Sequence, residues 1–351
     1  VREMLVDYHE GRLEEATARM APLLGEAIAL QDARIECEIR VATAQQAIGA
    51  GRFDEAVQQL AAAARLIADI GQRERAAVIA TNIGRVLSMG GQPRRALAQF
   101  RQHEYSLVHE ELAARAAEAL QHARLGDVAA VRAGVPQLLE RVQQMSIAAN
   151  DCIVIQRDLV EALRWCSELA QALQVCEDFA PRVDTRHPHG PLTRAALYLQ
   201  LGRADLARPQ LERIADSGQL SRRAQALGEF LWLQAEAISG TALHWPDDAL
   251  TNADRMLVAE WLLWSGLAER SPWPLEDIVS EAQRLEEEQV NLYAPTIRAL
   301  LAWRLAQGGD LRASEAAQLL GQEFDARVFD ACAGLHPDAL GVAAGLVRAG
   351  G

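Results

Sequence analysis

A six-residue pattern that starts with glycine recurs along the first hundred residues at a constant distance. Its clearest copies are Gly11–Ala16, Gly51–Ala56 and Gly91–Ala96, which start 40 residues apart. Weaker copies start at Gly126, Ser167, Gly202 and Gly309. A fixed period of this length is typical of repeat architectures, in which each unit packs against the next one.

The residues of one unit predict two helices joined by a tight turn. Gly51 is expected to end the first helix, because glycine adopts the left-handed conformation at a helix end without steric cost. Asp54 then complements the positive end of the dipole of the second helix. Ala56 is small enough to let the two helices approach closely. The unit is therefore predicted to be an antiparallel helical hairpin.

The spacing of apolar residues supports the same hairpin. Apolar residues step by three or four along each helix and form one stripe, at Val57, Leu60, Ala64 and Ile67 and again at Ala80, Ile83 and Leu87. One hairpin cannot bury its stripes alone, so successive hairpins must stack. No segment alternates apolar and polar residues. The sequence predicts an all-α fold, a right-handed solenoid of antiparallel helical hairpins with no sheet.

Two of these turns also resemble a known family, the tetratricopeptide repeat. Ile83-Gly84 followed by Gly91–Ala96 resembles its Leu-Gly and turn motifs, and so does Gly51–Ala56. The resemblance covers residues 1–110, and the period of 40 residues is similar to that of a long-repeat subclass in sensor regions of bacterial regulators. Residues 179–191 concentrate Pro, His and Gly and are expected to join two groups of hairpins. We therefore expect a repeat array over residues 1–190 and degenerate helical repeats with a Trp-rich cap over residues 191–351.

The resemblance also implies a concave groove that is lined by the first helix of each hairpin and binds a protein or peptide. Asn82 would bond the backbone of an extended peptide, and Arg85 on the same helix side would pair with a carboxylate. The alternative is a bond from Asn82 to the neighbouring helix and a solvated Arg85. For Arg157 the alternative is a surface ion-pair ladder with Glu161 and Arg164. The groove candidates are Glu38, Gln45, Val78, Thr81, Asn82, Arg85 and Arg157.

Tryptophan is unevenly distributed, since six of the seven residues follow residue 230. They are expected either to form a thick core that caps the array or to expose an aromatic patch for a partner or a second copy of the chain. In the second interpretation, which allows a homodimer, the interface candidates are Trp245, Trp261, Trp264 and Trp273.

Charge and reactive residues exclude several classes of function. The chain has 48 acidic residues against 35 basic ones, all arginine, and a net charge of −13. We expect no direct contact with nucleic acid, because phosphate neutralisation needs clustered cations. The absence of lysine excludes Schiff-base chemistry and a phosphate-loop lysine. The five cysteines form no CxxC pair and are expected to be reduced core residues. We find no catalytic constellation and expect no metal and no cofactor. The chain is therefore predicted not to be an enzyme.

The sequence therefore predicts a protein-binding or peptide-binding scaffold, or a sensor region, of a bacterial regulatory protein in signalling or transcription control. One alternative is the regulatory region of a larger fusion whose diguanylate cyclase or DNA-binding output domain lies outside this chain. Another is a self-assembling structural subunit. A cytoplasmic location is expected, because no apolar run approaches the roughly 20 residues of a membrane helix and the start carries no signal segment.

Overall fold

The computed structural model describes residues 13–102, 105, 107–166, 168–183, 188–215 and 222–238, together with Arg284 and Glu287. All regular secondary structure in these residues is helical, and they contain no strand. The chain divides into two compact units, Val1–Ala114 and Arg115–Gly351. The predicted all-α fold of consecutively packed helices is confirmed, while the predicted domain boundary near residue 190 stays a prediction.

The described part of the first unit contains a consecutive series of helices. They are α1 (Leu13–Ala29), α2 (Ala33–Gly49), α3 (Phe53–Asp69), α4 (Arg73–Met89) and α5 (Pro93–Arg101). Each helix packs against the next one along the chain. The boundary between the units falls within the next helix, α6 (Val108–Arg124).

The described part of the second unit continues with helices of less regular length. They are α7 (Val128–Gln144), α8 (Ala149–Trp165), α9 (Leu169–Phe179), α10 (His189–Gln200), α11 (Ala204–Ala215) and α12 (Arg222–Ile238). Neighbours in sequence pack together, and α8 also packs against α10, as α10 does against α12. Contacts between a helix and the next but one are what stacking of successive hairpins requires.

One turn geometry recurs between the helices, and the glycine of the repeat lies at its centre. Gly51 has φ of 72°, and the N–H of Arg52 donates to the carbonyl of Ala47 at 2.8 Å. The carbonyl of Arg52 then accepts from the N–H of Ala56 at 3.1 Å and opens α3. One residue thus closes a helix and begins the next, so the intervening turn needs no further residues. The same closing bond is donated by Gln72, Gln92, Asp127 and Arg203.

The first turn departs from this pattern in one residue. Gln31 takes the left-handed conformation, with φ of 55°, where the turns at Gly51, Gly71, Gly91, Gly126 and Gly202 have glycine. Asp32 offsets the cost, because its carboxylate accepts from the N–H groups of Arg34 and Ile35 at 3.2 and 3.1 Å and caps α2.

Small residues bring the helices of the first unit close together. Ala56 and Ala63 on α3 are fully buried, as the repeat pattern predicts for Ala56. On α4 the closest approach is at Gly84, which lies under the ring of Phe100 from α5. A Cβ atom on Gly84 would lie 2.5 Å from Phe100 Cε1. Only glycine at this position lets the Phe100 ring, 1% exposed, fill the space between the two helices.

The core of the second unit is also built from alternating small and large residues. Leu192 and Leu199 of α10 pack with Leu211 of α11 and Leu231 of α12, and all four are at most 2% exposed. Alanines and Ile214 complete the cluster. Helices α10, α11 and α12 therefore share one apolar core.

We expect Gly84→Ala to lower the free energy of unfolding by about 1–3 kcal/mol, because the added methyl group overpacks the site under Phe100. The matched control is Gly25→Ala in α1, where a Cβ atom meets nothing within 4 Å. That change should stabilise the chain by about 0.5–1 kcal/mol through helix propensity. Urea denaturation followed by circular dichroism measures both. Equal effects of the two substitutions would show that the Gly84 contact does not limit packing.

Candidate functional site

The predicted groove residues of the first unit lie on two neighbouring first helices of hairpins. Glu38 and Gln45 are on α2, and Val78 and Asn82 are on α4. The two helices are tied together by an ion pair between Glu38 and Arg75 of α4. We call Glu38, Gln45, Arg75, Val78 and Asn82 the first-helix face.

Much of the first-helix face is accessible. Val78 is 40% exposed, and Gln45 and Asn82 are also exposed. Thr81 is half-buried and its hydroxyl donates to the carbonyl of Ala77 at 3.0 Å, so that hydroxyl serves its own helix. Arg85, one turn from Asn82, is half-buried. The structure thus places these residues on α2 and α4, while a common groove and ligand binding by them stay predictions.

Arg157 lies in the second unit, on α8, and holds a buried acid. Its Nε and Nη2 atoms donate to Asp158 Oδ1 at 2.9 and 2.6 Å, and the Asp158 side chain is 2% exposed. On the same helix, Arg164 pairs with Glu161 at 2.8 Å, as the ion-pair alternative predicts for that pair. The guanidinium of Arg157 therefore compensates a carboxylate that is cut off from water.

A polar clamp joins three helices of the second unit at one carbonyl group. The Cys176 carbonyl on α9 accepts from Gln156 Nε2 of α8 and from Arg194 Nη2 of α10, each at 3.3 Å. Gln156 is 3% exposed. Sequence reasoning missed both Gln156 and Asp158. The available signal was that these polar residues interrupt the apolar stripe of α8.

The cysteines of the described residues are buried and form no disulfide, as predicted. Burial raises the pKa of the Cys176 thiol to about 11, and the nearby Arg194 only partly opposes this shift. Burial also raises the pKa of the Cys37 and Cys152 thiols. These thiols therefore stay protonated at neutral pH and are poor nucleophiles.

The described residues contain neither a candidate metal site nor a helix that could span a membrane. Residues 13–238, with the gaps given above, contain no group of three or more His, Cys, Asp or Glu that could hold a metal ion. No helix in the described part of the chain is long and apolar enough to cross a membrane.

The predicted aromatic interface falls elsewhere in the chain. Trp245, Trp261, Trp264 and Trp273 lie outside the described residues. Their assignment to an interface stays a prediction.

Residues 253–351 match one family model. It represents the N-terminal region of tRNA(Met) cytidine acetyltransferase TmcA. The match covers less than a third of the chain, and the structure describes only Arg284 and Glu287 within it. Among curated proteins, none matches this chain.

This match corrects several predictions made from the sequence. The assignment to the tetratricopeptide-repeat family is wrong, since the family model that matches belongs to a tRNA-modifying enzyme. The regulatory scaffold or sensor in signalling or transcription control is wrong for the same reason, and so is the prediction that the chain is not an enzyme. The predicted absence of nucleic-acid contact is contradicted as well, because the matching family is named for a tRNA. Helical hairpins recur in unrelated proteins, so the repeat pattern predicted the fold correctly but not the function.

The raised pKa of Cys176 predicts a loss of stability in alkali. An unfolded thiol with the ordinary pKa of 9.0 releases its proton before the folded one does. The stabilisation is therefore complete below about pH 9 and is lost as the pH rises towards 11. Between these values, the free energy of unfolding should fall by about 2 kcal/mol more in the unaltered chain than in Cys176→Ala. Urea titrations across this pH range measure the difference, and parallel curves would contradict it.

Proposed function

We propose that this chain acts in tRNA modification, as part of an enzyme that transfers an acetyl group to a cytidine. The observation that carries the proposal is the similarity of residues 253–351 to the N-terminal region of tRNA(Met) cytidine acetyltransferase TmcA. A tRNA of the methionine type is the proposed substrate, and the cytoplasm is the proposed location.

The helices that precede the matched segment have a positioning role in this proposal. The turns between α1 and α5 are short, and each of these five helices packs against its neighbours along the chain. Stacked helices of this kind present extended surfaces made of side chains from several hairpins. Such a surface suits a substrate much larger than a nucleoside, since many weak contacts can be spread along it.

The polar clamp of the second unit supports the same role. Three helices meet at the Cys176 carbonyl, which accepts from Gln156 and Arg194. Asp158 is compensated by Arg157 within the same helix. Buried polar groups that are bonded across helices fix the relative positions of those helices, because any displacement leaves a buried group without its partner. The described helices of the second unit thus offer a rigid support.

The proposal predicts that cells without this protein lose acetylcytidine from tRNA(Met). The gene is disrupted in the native cells, tRNA(Met) is isolated and digested to nucleosides, and acetylcytidine is quantified by mass spectrometry. The expected result is a fall to background, restored by expression of the full protein, because the proposed acetyl transfer depends on this chain.

The internal control is a second modified nucleoside of the same digest, which should not change. An unchanged amount of acetylcytidine after disruption would overturn the proposed function. A parallel loss of both nucleosides would also count against it, because it would indicate a general defect of tRNA rather than a missing acetyl transfer.

A further inference from the structure

The negative charge of the chain is interrupted by one basic stretch. Residues 75–103 are the longest run without an acidic residue and contain five arginines, in a chain whose net charge is −13. Arg75 is balanced by its ion pair with a carboxylate of α2. Three of the other four, Arg94, Arg95 and Arg101, lie on α5. The short helix α5 therefore carries a concentrated positive charge.

One side of α5 is firmly attached to the first unit. Pro93, Ala96 and Phe100 are buried, and the ring of Phe100 fills the space over α4. Gln99 Nε2 adds a bond to the carbonyl of Ala80 at 3.3 Å. Because these contacts fix the rotation of α5 about its axis, its remaining side faces away from α4.

The arginines occupy that remaining side. Arg94, Arg95, Ala98 and Arg101 are all exposed, and we call them the α5 arginine surface. Arg94 and Arg101 are two helical turns apart, which separates their backbone positions by about 10 Å along the axis. The small, exposed side chain of Ala98 lies between them on the same side of the helix.

The stability of the helix does not explain the position of two of these arginines. Acidic residues occupy the first turn of α2, α3 and α4, where they complement the positive end of the helix dipole. The first turn of α5 has no acidic residue and holds Arg94 and Arg95 instead. Cations at this end are unfavourable for the helix.

We propose that the α5 arginine surface binds phosphate groups of the tRNA backbone, an inference that rests on the proposed function. Charge complementarity selects this occupant, because guanidinium groups bind phosphate through paired hydrogen bonds and RNA presents phosphates in a row. The matched segment, residues 253–351, contains 15 acidic residues against 8 arginines and so has no excess of cations for this purpose. The α5 arginine surface supplies the cations that the matched segment lacks.

The test compares the full chain with the triple variant Arg94→Gln, Arg95→Gln and Arg101→Gln, using an unmodified tRNA(Met) transcript as the probe. Fluorescence anisotropy gives the dissociation constant at several salt concentrations. Each lost phosphate contact lowers the slope of log K against log salt by roughly 0.7–0.9, so the variant should lose about 2–3 from the slope. At low salt its affinity should fall at least about tenfold.

The matched control removes the same charge elsewhere in the first unit, with Arg34→Gln, Arg52→Gln and Arg65→Gln. These arginines are exposed too, and Arg52 pairs with Glu55 at 3.3 Å. The control should bind tRNA(Met) within about threefold of the unaltered chain, since net charge alone contributes little beyond a Debye length. Circular dichroism verifies that both variants retain their helices.

The outcomes separate the two proposals. If the unaltered chain binds tRNA(Met) and both triple variants bind with equal affinity, phosphate binding by the α5 arginine surface is overturned and the proposed function stands. If the unaltered chain does not bind the transcript at all, both are overturned. If the α5 variant loses binding to polyglutamate but keeps its affinity for tRNA(Met), the surface belongs to an acidic protein partner and the inference is overturned.

Discussion

The described part of the first unit depends on one backbone arrangement, in which a single residue closes a helix with its N–H and opens the next with its carbonyl. At Arg52 these two bonds measure 2.8 and 3.1 Å, and the left-handed Gly51 before it makes them compatible. The arrangement fixes where each helix starts, and therefore which side chains face the neighbour. The burial of Ala56 and the seating of Phe100 on Gly84 both follow from that register.

Local rules were sufficient to predict the helices, because turns and apolar stripes act over a few residues. The 40-residue period, the turn at Gly51 and the buried Ala56 could all be predicted from spacing alone. Asp158 could not, since a buried carboxylate is stable only through partners that folding supplies. The charge of α5 was missed for a different reason. A net charge of −13 averages over the chain, whereas phosphate binding depends on the few cations at one surface.

The function was predicted wrongly from the repeat motifs because these motifs specify packing and not activity. A helical hairpin is a general solution to the burial of two apolar stripes, so its motifs are shared by proteins with unrelated activities. The similarity of residues 253–351 to part of a tRNA-modifying enzyme rests on a separate segment of the chain. The described helices and the matched segment thus supply different information, the first about packing and surface charge and the second about the family that this segment resembles.

Helices α1 to α5 begin at residues 13, 33, 53, 73 and 93, a constant interval of 20. Adding one residue within a helix would turn the later side chains of that helix by about 100° and move part of its apolar stripe away from the neighbouring helix. Adding or removing a complete pair of helices would instead leave all other faces in register. Duplication and loss of 40-residue segments are therefore the changes of length that such an array can accept during evolution, so its reach can change while its turns and packing stay the same.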